Sequence, residues 1–227
     1  MSTQPETQNI PLEGPLRIDV VSDVVCPWCF LGKKRLEEAL AAMPGVQAEV
    51  FWRPFQLDGT IRKGGIPREE YLTKKFGPER NKHMYDRITG LGKEAGIDFD
   101  FDAIKISPNT LDAHRLLRWA QAAGTQSAVK ERLFELFFIE GKDIGDPAVL
   151  AEVAEDFGIG RDAAGRLLAG DADEDAVQEE IEMARRMGVQ GVPFFIFNNK
   201  VAVSGAQPAE VLVQAAQQAM AAGTNET

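Results

Sequence analysis

The feature that most constrains this chain is the segment CPWC at residues 26 to 29. It contains both cysteines of the 227-residue sequence, Cys26 and Cys29, within one helical turn. The residues before it, LRIDVVSDVV, are rich in Val and Ile and predict a buried strand. The residues after it, FLGKKRLEEALAAM, place apolar side chains at helical spacing. The motif therefore stands where a strand ends and a helix begins.

This position gives the two thiols different chemical roles. A helix N-terminus exposes backbone N–H groups and a partial positive charge, which predicts a lowered pKa for Cys26 and makes it the nucleophile. Cys29, one turn deeper and buried, is placed to attack a mixed disulfide formed on Cys26. Pro27 suits the first helical turn because its missing N–H has no helical partner there. We predict that Pro27 and an exposed Trp28 contact the substrate.

A metal site is the main alternative for a close cysteine pair. A structural zinc site needs two more ligands, and the only histidines of the chain, His83 and His114, do not form the histidine pair of a zinc motif. We therefore predict a dithiol that opens and closes as a disulfide, with no bound metal. His114 lies within a helical pattern and is predicted to be half-buried near the helix surface, with contact to a substrate as the alternative.

The charge and the apolar pattern exclude several classes of partner. The chain has 25 Lys and Arg against 35 Asp and Glu, and its formal charge of −10 repels nucleic acid and acidic lipid surfaces. Its first residues show no charged region followed by an apolar run, and no later stretch has the apolar length of a membrane span. We therefore expect a cytoplasmic protein. Reductants keep thiols open there, so a close cysteine pair is functional rather than structural.

The predicted elements run in the order strand, helix, strand, helical block, strand, strand, helix. The second strand is VQAEVFWRPF, and from about Leu57 to Met187 we find helices with caps and breaks but no convincing strand. The segment VPFFIFNNKVAVSG then contains two strand patterns joined at Asn198 and Asn199, which tolerate positive φ. Strands from both ends of the chain must pair into one sheet, with the helices inserted between them.

Several signals mark the helices of the block. Asn109 is the predicted N-cap of one helix, and Asp146 caps another in which Pro147 takes the first position. The aromatic stripe Phe134, Phe137 and Phe138 has helical spacing and predicts a core face rather than a cofactor site.

Three segments of the chain resemble the DsbA-like branch of the thioredoxin superfamily: SDVVCPWCFLGKKRLEEAL, PNTLDAHRLLRWA and GVQGVPFFIFNNKVAVSGAQP. Within that branch they are similar to the FrnE-like group of cytoplasmic DsbA relatives. The resemblance implies an α/β, thioredoxin-like fold with a large all-helical insertion. It divides the chain into a flexible N-terminal arm at 1–14, a thioredoxin-like domain formed by 15–57 and 188–227, and a helical insertion domain at 58–187.

The resemblance also implies roles for individual residues. Cys26 matches the attacking cysteine of the family and Cys29 matches the resolving one. Pro193 matches its cis-proline, and Val192 matches the preceding residue, whose backbone flanks the dithiol and pairs with a bound substrate chain.

The implied activity is that of a thiol-disulfide oxidoreductase or protein disulfide isomerase. The cysteine pair would need no cofactor, with glutathione as the candidate co-substrate. The expected partners are a thiol or disulfide substrate, either protein or small molecule, and a redox-recycling partner; a monomer and a homodimer fit equally. The Pro-Trp dipeptide and the lack of a signal peptide differ from the periplasmic oxidant that names the branch, which argues against a strong oxidising role.

Two other functions are compatible with the same scaffold. A glutathione-dependent isomerase or transferase of the kappa and hydroxychromene-carboxylate isomerase type activates glutathione with a Ser-type residue and does not need Cys29. A chaperone-like binding protein would hold unfolded chains in its groove, and its dithiol would be incidental.

Overall fold

A sheet assembled from both ends of the chain forms the centre of the fold. The computed structural model describes residues 15–77 and 85–222, so the predicted arm at 1–14 lies outside the described residues. In chain order the elements are β1 (Leu16–Ser22), α1 (Pro27–Ala41), β2 (Ala48–Pro54), β3 (Ile66–Pro67), α2 (Arg68–Phe76), α3 (Asp86–Glu94), β4 (Ile106–Ser107), α4 (Leu111–Ala122), α5 (Gln126–Phe138), α6 (Pro147–Asp156), α7 (Arg161–Ala169), α8 (Glu174–Arg186), β5 (Phe194–Phe197), β6 (Val201–Ser204) and α9 (Ala209–Ala221).

The main sheet has the strand order β2-β1-β5-β6. β1 is parallel to β2 and antiparallel to β5, so Val20 lies between Trp52 and Phe195. β5 and β6 form the predicted hairpin, in which Asn198 and Asn199 have φ angles of 49° and 55°. The prediction that the two ends of the chain share one sheet is confirmed.

Two apolar clusters hold the layers together. One joins the sheet to α1 and α9 through side chains that include Ile18, Leu36 and Leu212. The other lies within the inserted helices and extends to the start of α1, where the Phe30 ring stacks on Phe134 with ring centres 4.9 Å apart. The predicted core role of the aromatic stripe is therefore confirmed. The beginning of α1 packs between the sheet and the helical block.

The helical block also contains two short strands that the sequence pattern did not indicate. β3 pairs antiparallel with β4, with Ile66 opposite Ser107. The prediction of a block without strands was wrong here, because two residues are too few to produce an alternating pattern.

The predicted helix starts are correct to within one residue. Thr110, rather than Asn109, occupies the N-cap position of α4, although Oδ1 of Asn109 accepts a hydrogen bond of 2.9 Å from the backbone N–H of Leu111. Asp146 caps α6 as predicted, accepting a hydrogen bond of 2.8 Å from the backbone of Ala148. Within residues 15–77 and 85–222, no helix combines the length and the apolar character needed to cross a bilayer.

Candidate active site

The dithiol occupies the junction between the central strand β1 and helix α1. Cys26 is the N-cap residue of α1, and its carbonyl accepts a hydrogen bond of 3.0 Å from the backbone N–H of Cys29 in the first turn. Both thiols are free. Cys26 is 4% exposed and Cys29 is fully buried, so the sulfur nearer to solvent is the predicted nucleophile.

The loop before β5 brings a second predicted pair of residues to the dithiol. The peptide bond between Val192 and Pro193 is cis, as the family resemblance implied. The Cys26 thiol donates to the Val192 carbonyl oxygen, with sulfur and oxygen 3.5 Å apart. Pro193 packs closely on α1, because a Cβ added at Gly32 would lie 2.8 Å from its Cγ. The dithiol and this loop are therefore held in direct contact.

The surroundings of Cys26 change its acidity in the direction opposite to our prediction. Its hydrogen bond with the Cys29 side chain, its burial and the negative charge of a Cys29 thiolate raise the pKa of Cys26 well above the ordinary value. The backbone N–H of Cys29 lowers this pKa, as a helix N-terminus should, but the effect is smaller. The predicted lowering was wrong for the reduced dithiol because it counted the helix amides and neglected burial and the neighbouring sulfur.

A cavity of ≈ 350 Å³ opens beside Cys26. Pro27, Trp28 and Val192 line it together with side chains from α2, α3 and β4, whereas Pro193 does not. Trp28 is half-buried rather than exposed, since it packs against the core cluster and the Arg87 guanidinium lies 5.6 Å from its ring centre. Most of the predicted substrate-binding residues therefore share one wall of the cavity.

Asp23 lines the cavity and contacts a second buried polar side chain, His114. Asp23 accepts a hydrogen bond of 2.8 Å from the backbone N–H of Leu57, and its other oxygen lies 3.3 Å from Nε2 of His114. The same Nε2 lies 2.9 Å from the Phe55 carbonyl oxygen, which can only accept, so this nitrogen carries the proton. Burial lowers the pKa of His114 and keeps the ring neutral. The prediction of a half-buried surface histidine was wrong, because the ring is buried against Asp23 and Phe55, the residues that directly follow β1 and β2.

A third polar group, Lys130 of α5, is fully buried near the dithiol. Its Nζ forms no hydrogen bond within the part of the chain that the structure describes. Burial lowers the pKa of Lys130 to about 8, although the negative charges of Cys29 and Asp23 oppose this change. By reciprocity, the Lys130 ammonium stabilises negative charge on the cysteine sulfurs.

The described residues offer no metal site around the dithiol. Among positions 15–77 and 85–222, no three His, Cys, Asp or Glu side chains are grouped so that they could hold a metal ion. The zinc alternative therefore has no ligand set in this part of the chain.

Comparison with known proteins places this arrangement in a family. The model of the DSBA-like thioredoxin domain matches residues 17–217. The chain belongs to this family. The predicted thioredoxin-like fold with a helical insertion is confirmed by a crystal structure described as a probable DsbA oxidoreductase from Streptomyces coelicolor. The two chains are 32% identical, the TM-score is 0.81, and the match covers 93% of this chain and 92% of that one.

Two further proteins are similar to this chain, one in sequence and one in fold. Protein YwbO of Bacillus subtilis (strain 168), described as uncharacterized, is 28% identical over 201 residues, which are 88% of this chain and 95% of that protein. The cytosolic disulfide reductase DsbM from Pseudomonas aeruginosa with GSH is similar in fold, with a TM-score of 0.58 and 16% identity. That match covers 92% of this chain and 98% of the DsbM chain.

Sequence reasoning missed the polar groups around the dithiol. Asp23 lies three residues before Cys26, and its position beside the motif was the only available signal. Lys130 reads as an ordinary lysine of an amphipathic helix, and only the packing of α5 against the sheet buries it. Arg68 of α2 lines the cavity but stands in a polar stretch with no recognisable motif.

Proposed function

We propose that this protein is a thiol-disulfide oxidoreductase in which Cys26 exchanges disulfides with a substrate and Cys29 resolves the mixed disulfide. The observation that carries the proposal is the pair of free thiols with unequal access. Cys26 lines the cavity, whereas Cys29 is buried one turn deeper. A substrate therefore reacts with Cys26 first, and Cys29 attacks the resulting mixed disulfide in the second step.

In the reducing direction the reaction consists of two exchanges. The Cys26 thiolate attacks one sulfur of a substrate disulfide, so a bond from Cys26 to that sulfur forms and the substrate S–S bond breaks. The departing thiolate takes up a proton. The Cys29 thiolate then attacks Cys26, which releases the second substrate thiol and leaves a Cys26–Cys29 disulfide. The substrate gains two electrons, and the same steps in reverse oxidise a dithiol.

The residues around the sulfurs support both steps. The Val192 carbonyl accepts from the Cys26 thiol, so the Val192 backbone lies beside the sulfur that would react with a substrate. The Lys130 ammonium lowers the free energy of a thiolate at the dithiol. Since the thiolate is the attacking species, we expect the exchange to become faster as the pH rises.

The acidity of Cys26 favours a reductant or isomerase over a strong oxidant. A strong disulfide oxidant has a stabilised reduced form, to which a low cysteine pKa contributes. In this protein the pKa of Cys26 is raised, so the reduced form lacks that stabilisation. We place the protein in the cytoplasm with a redox-recycling partner, a role that the similarity to a cytosolic disulfide reductase supports.

The measurement that tests the proposal is the reduction potential of the Cys26–Cys29 couple, obtained by equilibration with glutathione redox buffers and followed by tryptophan fluorescence. We expect a reversible two-electron couple nearer to the thioredoxin value of about −270 mV than to the DsbA value of about −120 mV. The Cys29→Ser variant should show no such couple. Thiols that remain inert in every buffer would refute the proposal.

A functional assay separates this activity from the chaperone alternative. Reduction of a protein disulfide should require Cys26, whereas suppression of aggregation by a binding groove should survive the loss of both cysteines. Activity that is unchanged in a Cys26→Ser, Cys29→Ser double variant would favour the binding protein.

A further inference from the structure

The active-site cavity contains a guanidinium that has no anionic partner among the described residues. Arg68, the first residue of α2, donates to the Ser107 hydroxyl at 3.2 Å and to the Tyr85 hydroxyl at 2.6 Å. Its Nε is buried and forms no hydrogen bond. Over residues 15–77 and 85–222, no carboxylate forms an ion pair with Arg68. This cation is therefore held in place by neutral groups alone.

The other charges of the cavity wall do not neutralise it. The Asp23 carboxylate accepts from the Leu57 backbone and faces His114. The Asp58 carboxylate accepts from the hydroxyl and backbone N–H of Thr60. Both acids are therefore satisfied by groups other than Arg68.

A second cation, Lys75, lines the cavity near Arg68, and the face of the Tyr71 ring, which carries partial negative charge, stabilises the guanidinium. The Tyr71 ring centre lies 5.9 Å from the guanidinium, and the Tyr71 hydroxyl accepts from Nζ of Lys75 at 2.6 Å. Tyr71 and Lys75 also line the cavity. A partly buried guanidinium without a carboxylate is costly unless an anion completes its hydrogen bonds, and carboxylates match its geometry.

Arg68 and Cys26 line the same cavity, so one ligand can reach both. Its volume of ≈ 350 Å³ falls within the range of small-molecule sites. We propose that the cavity binds a low-molecular-weight thiol or disulfide that carries a carboxylate, with the carboxylate on Arg68 and the sulfur at Cys26. This inference rests on the proposed function and names the substrate class of the same site.

The step that this ligand undergoes is a simple exchange. The Cys26 thiolate attacks one sulfur of the small disulfide, forms a mixed disulfide with that half and releases the other half as a thiolate, which is protonated by solvent. Arg68 takes no part in the electron transfer. It is a positioning residue, which binds the carboxylate and lowers the free energy of the approach to Cys26.

The test compares disulfides that differ in charge. Reduced protein with Cys29→Ser, which cannot resolve the mixed disulfide, is mixed with glutathione disulfide, with neutral 2-hydroxyethyl disulfide or with cationic cystamine. Each rate is divided by the rate of the same disulfide with free 2-mercaptoethanol. Despite the net charge of −10, we expect the normalised rate to be highest for glutathione disulfide and lowest for cystamine.

The variants assign this preference to one side chain. Arg68→Met should lower the normalised rate with glutathione disulfide by about tenfold or more and change the rate with 2-hydroxyethyl disulfide less than twofold. Arg68→Lys, which retains the charge, should recover part of the preference. Arg62→Met is the matched control, since Arg62 is exposed, does not line the cavity and, within the described part of the chain, donates from its side chain to the Gly65 carbonyl alone.

The outcomes separate this inference from the proposed function. Cys29→Ser protein with Arg68 intact that shows no preference for the anionic disulfide overturns the inference, even where Arg68→Met fails to fold. An equal fall in both rates for Arg68→Met also overturns it and assigns Arg68 a structural role. Absence of reaction with all three disulfides overturns the proposed function itself, and the substrate class with it.

Discussion

Lys130 is a buried ammonium that forms no hydrogen bond with the residues at 15–77 and 85–222, and its removal should stabilise the fold. Burial lowers its pKa from the ordinary 10.5 to about 8. At about 1.4 kcal/mol per pH unit, holding this charge in the folded protein costs about 3 kcal/mol at neutral pH. The rings of Phe134 and Trp52, whose centres lie 5.0 and 5.7 Å from Nζ, offset about 1 kcal/mol through cation–π contacts. We therefore expect Lys130→Met to raise the free energy of unfolding by about 2 kcal/mol at pH 7.

The size of this gain depends on pH in a defined direction. Below pH 8 the amine is protonated in both the folded and the unfolded chain, so the difference between variant and wild type is constant. Between about pH 8 and pH 10.5 the folded protein releases the proton while the unfolded chain retains it, which makes the wild type more stable as the pH rises. The advantage of Lys130→Met therefore shrinks across this window.

The assay is urea unfolding from pH 7 to pH 10.5, with both proteins in the Cys26–Cys29 disulfide form so that the thiols do not titrate. The thiolate charges that favour the ammonium are absent in this form, so the effect should be at least as large. Lys33→Met is the control, because Lys33 is also buried but pairs with Glu37 and with Glu131 at 2.6 Å, and its loss should destabilise the fold. A destabilised Lys130→Met protein at pH 7, or a difference that does not change above pH 8, would refute the reasoning.

Three further predictions follow from individual contacts. Cys29→Ser should halt the exchange at its first step, so a mixed disulfide between Cys26 and glutathione should accumulate. Intact-protein mass spectrometry should then show the added mass of one glutathionyl group. A rapid return to the free protein would contradict the resolving role of Cys29. Gly32→Ala should lower the free energy of unfolding in urea by about 1–3 kcal/mol, since the new methyl group would lie 2.8 Å from Pro193. The control is Gly165→Ala, a helical position with open space around it, which should be neutral or stabilising. Because burial lowers the pKa of His114, the unfolded chain binds a proton before the folded one as the pH falls below about 6.5, so stability should decline there. A His114→Gln variant with the same decline would show that another group causes it.

The parts of this fold that could be predicted from the sequence have local causes. The strand, the CPWC turn and the following helix are each predicted by the pattern of neighbouring residues. The tight hairpin needs only two asparagines that accept positive φ. The environment of Cys26 could not be predicted in this way. The helix amides and the Cys29 sulfur belong to its own segment, but the burial that also raises its pKa depends on the fold, which brings Val192 to its sulfur from 166 positions away along the chain.

The same distinction explains why the surrounding polar groups were missed. Lys130 and Arg68 stand in helical stretches with many other charged residues, and the sequence pattern is identical for a solvated and a buried lysine. Only the docking of α5 and α2 around the dithiol gives these two cations their unusual environments. The resolving cysteine and the cis-proline could be identified from the sequence because each stands in a recognisable motif.

The contact between Cys26 and the Val192 carbonyl joins residues that are 166 positions apart. During synthesis on a ribosome, both cysteines leave the exit tunnel long before β5 exists, so β1 has no antiparallel partner. The nascent protein therefore displays its thiols without the loop that shapes their reactivity. The redox centre is completed only when the final part of the sequence has been translated, and a prematurely terminated product would carry the cysteines but no site.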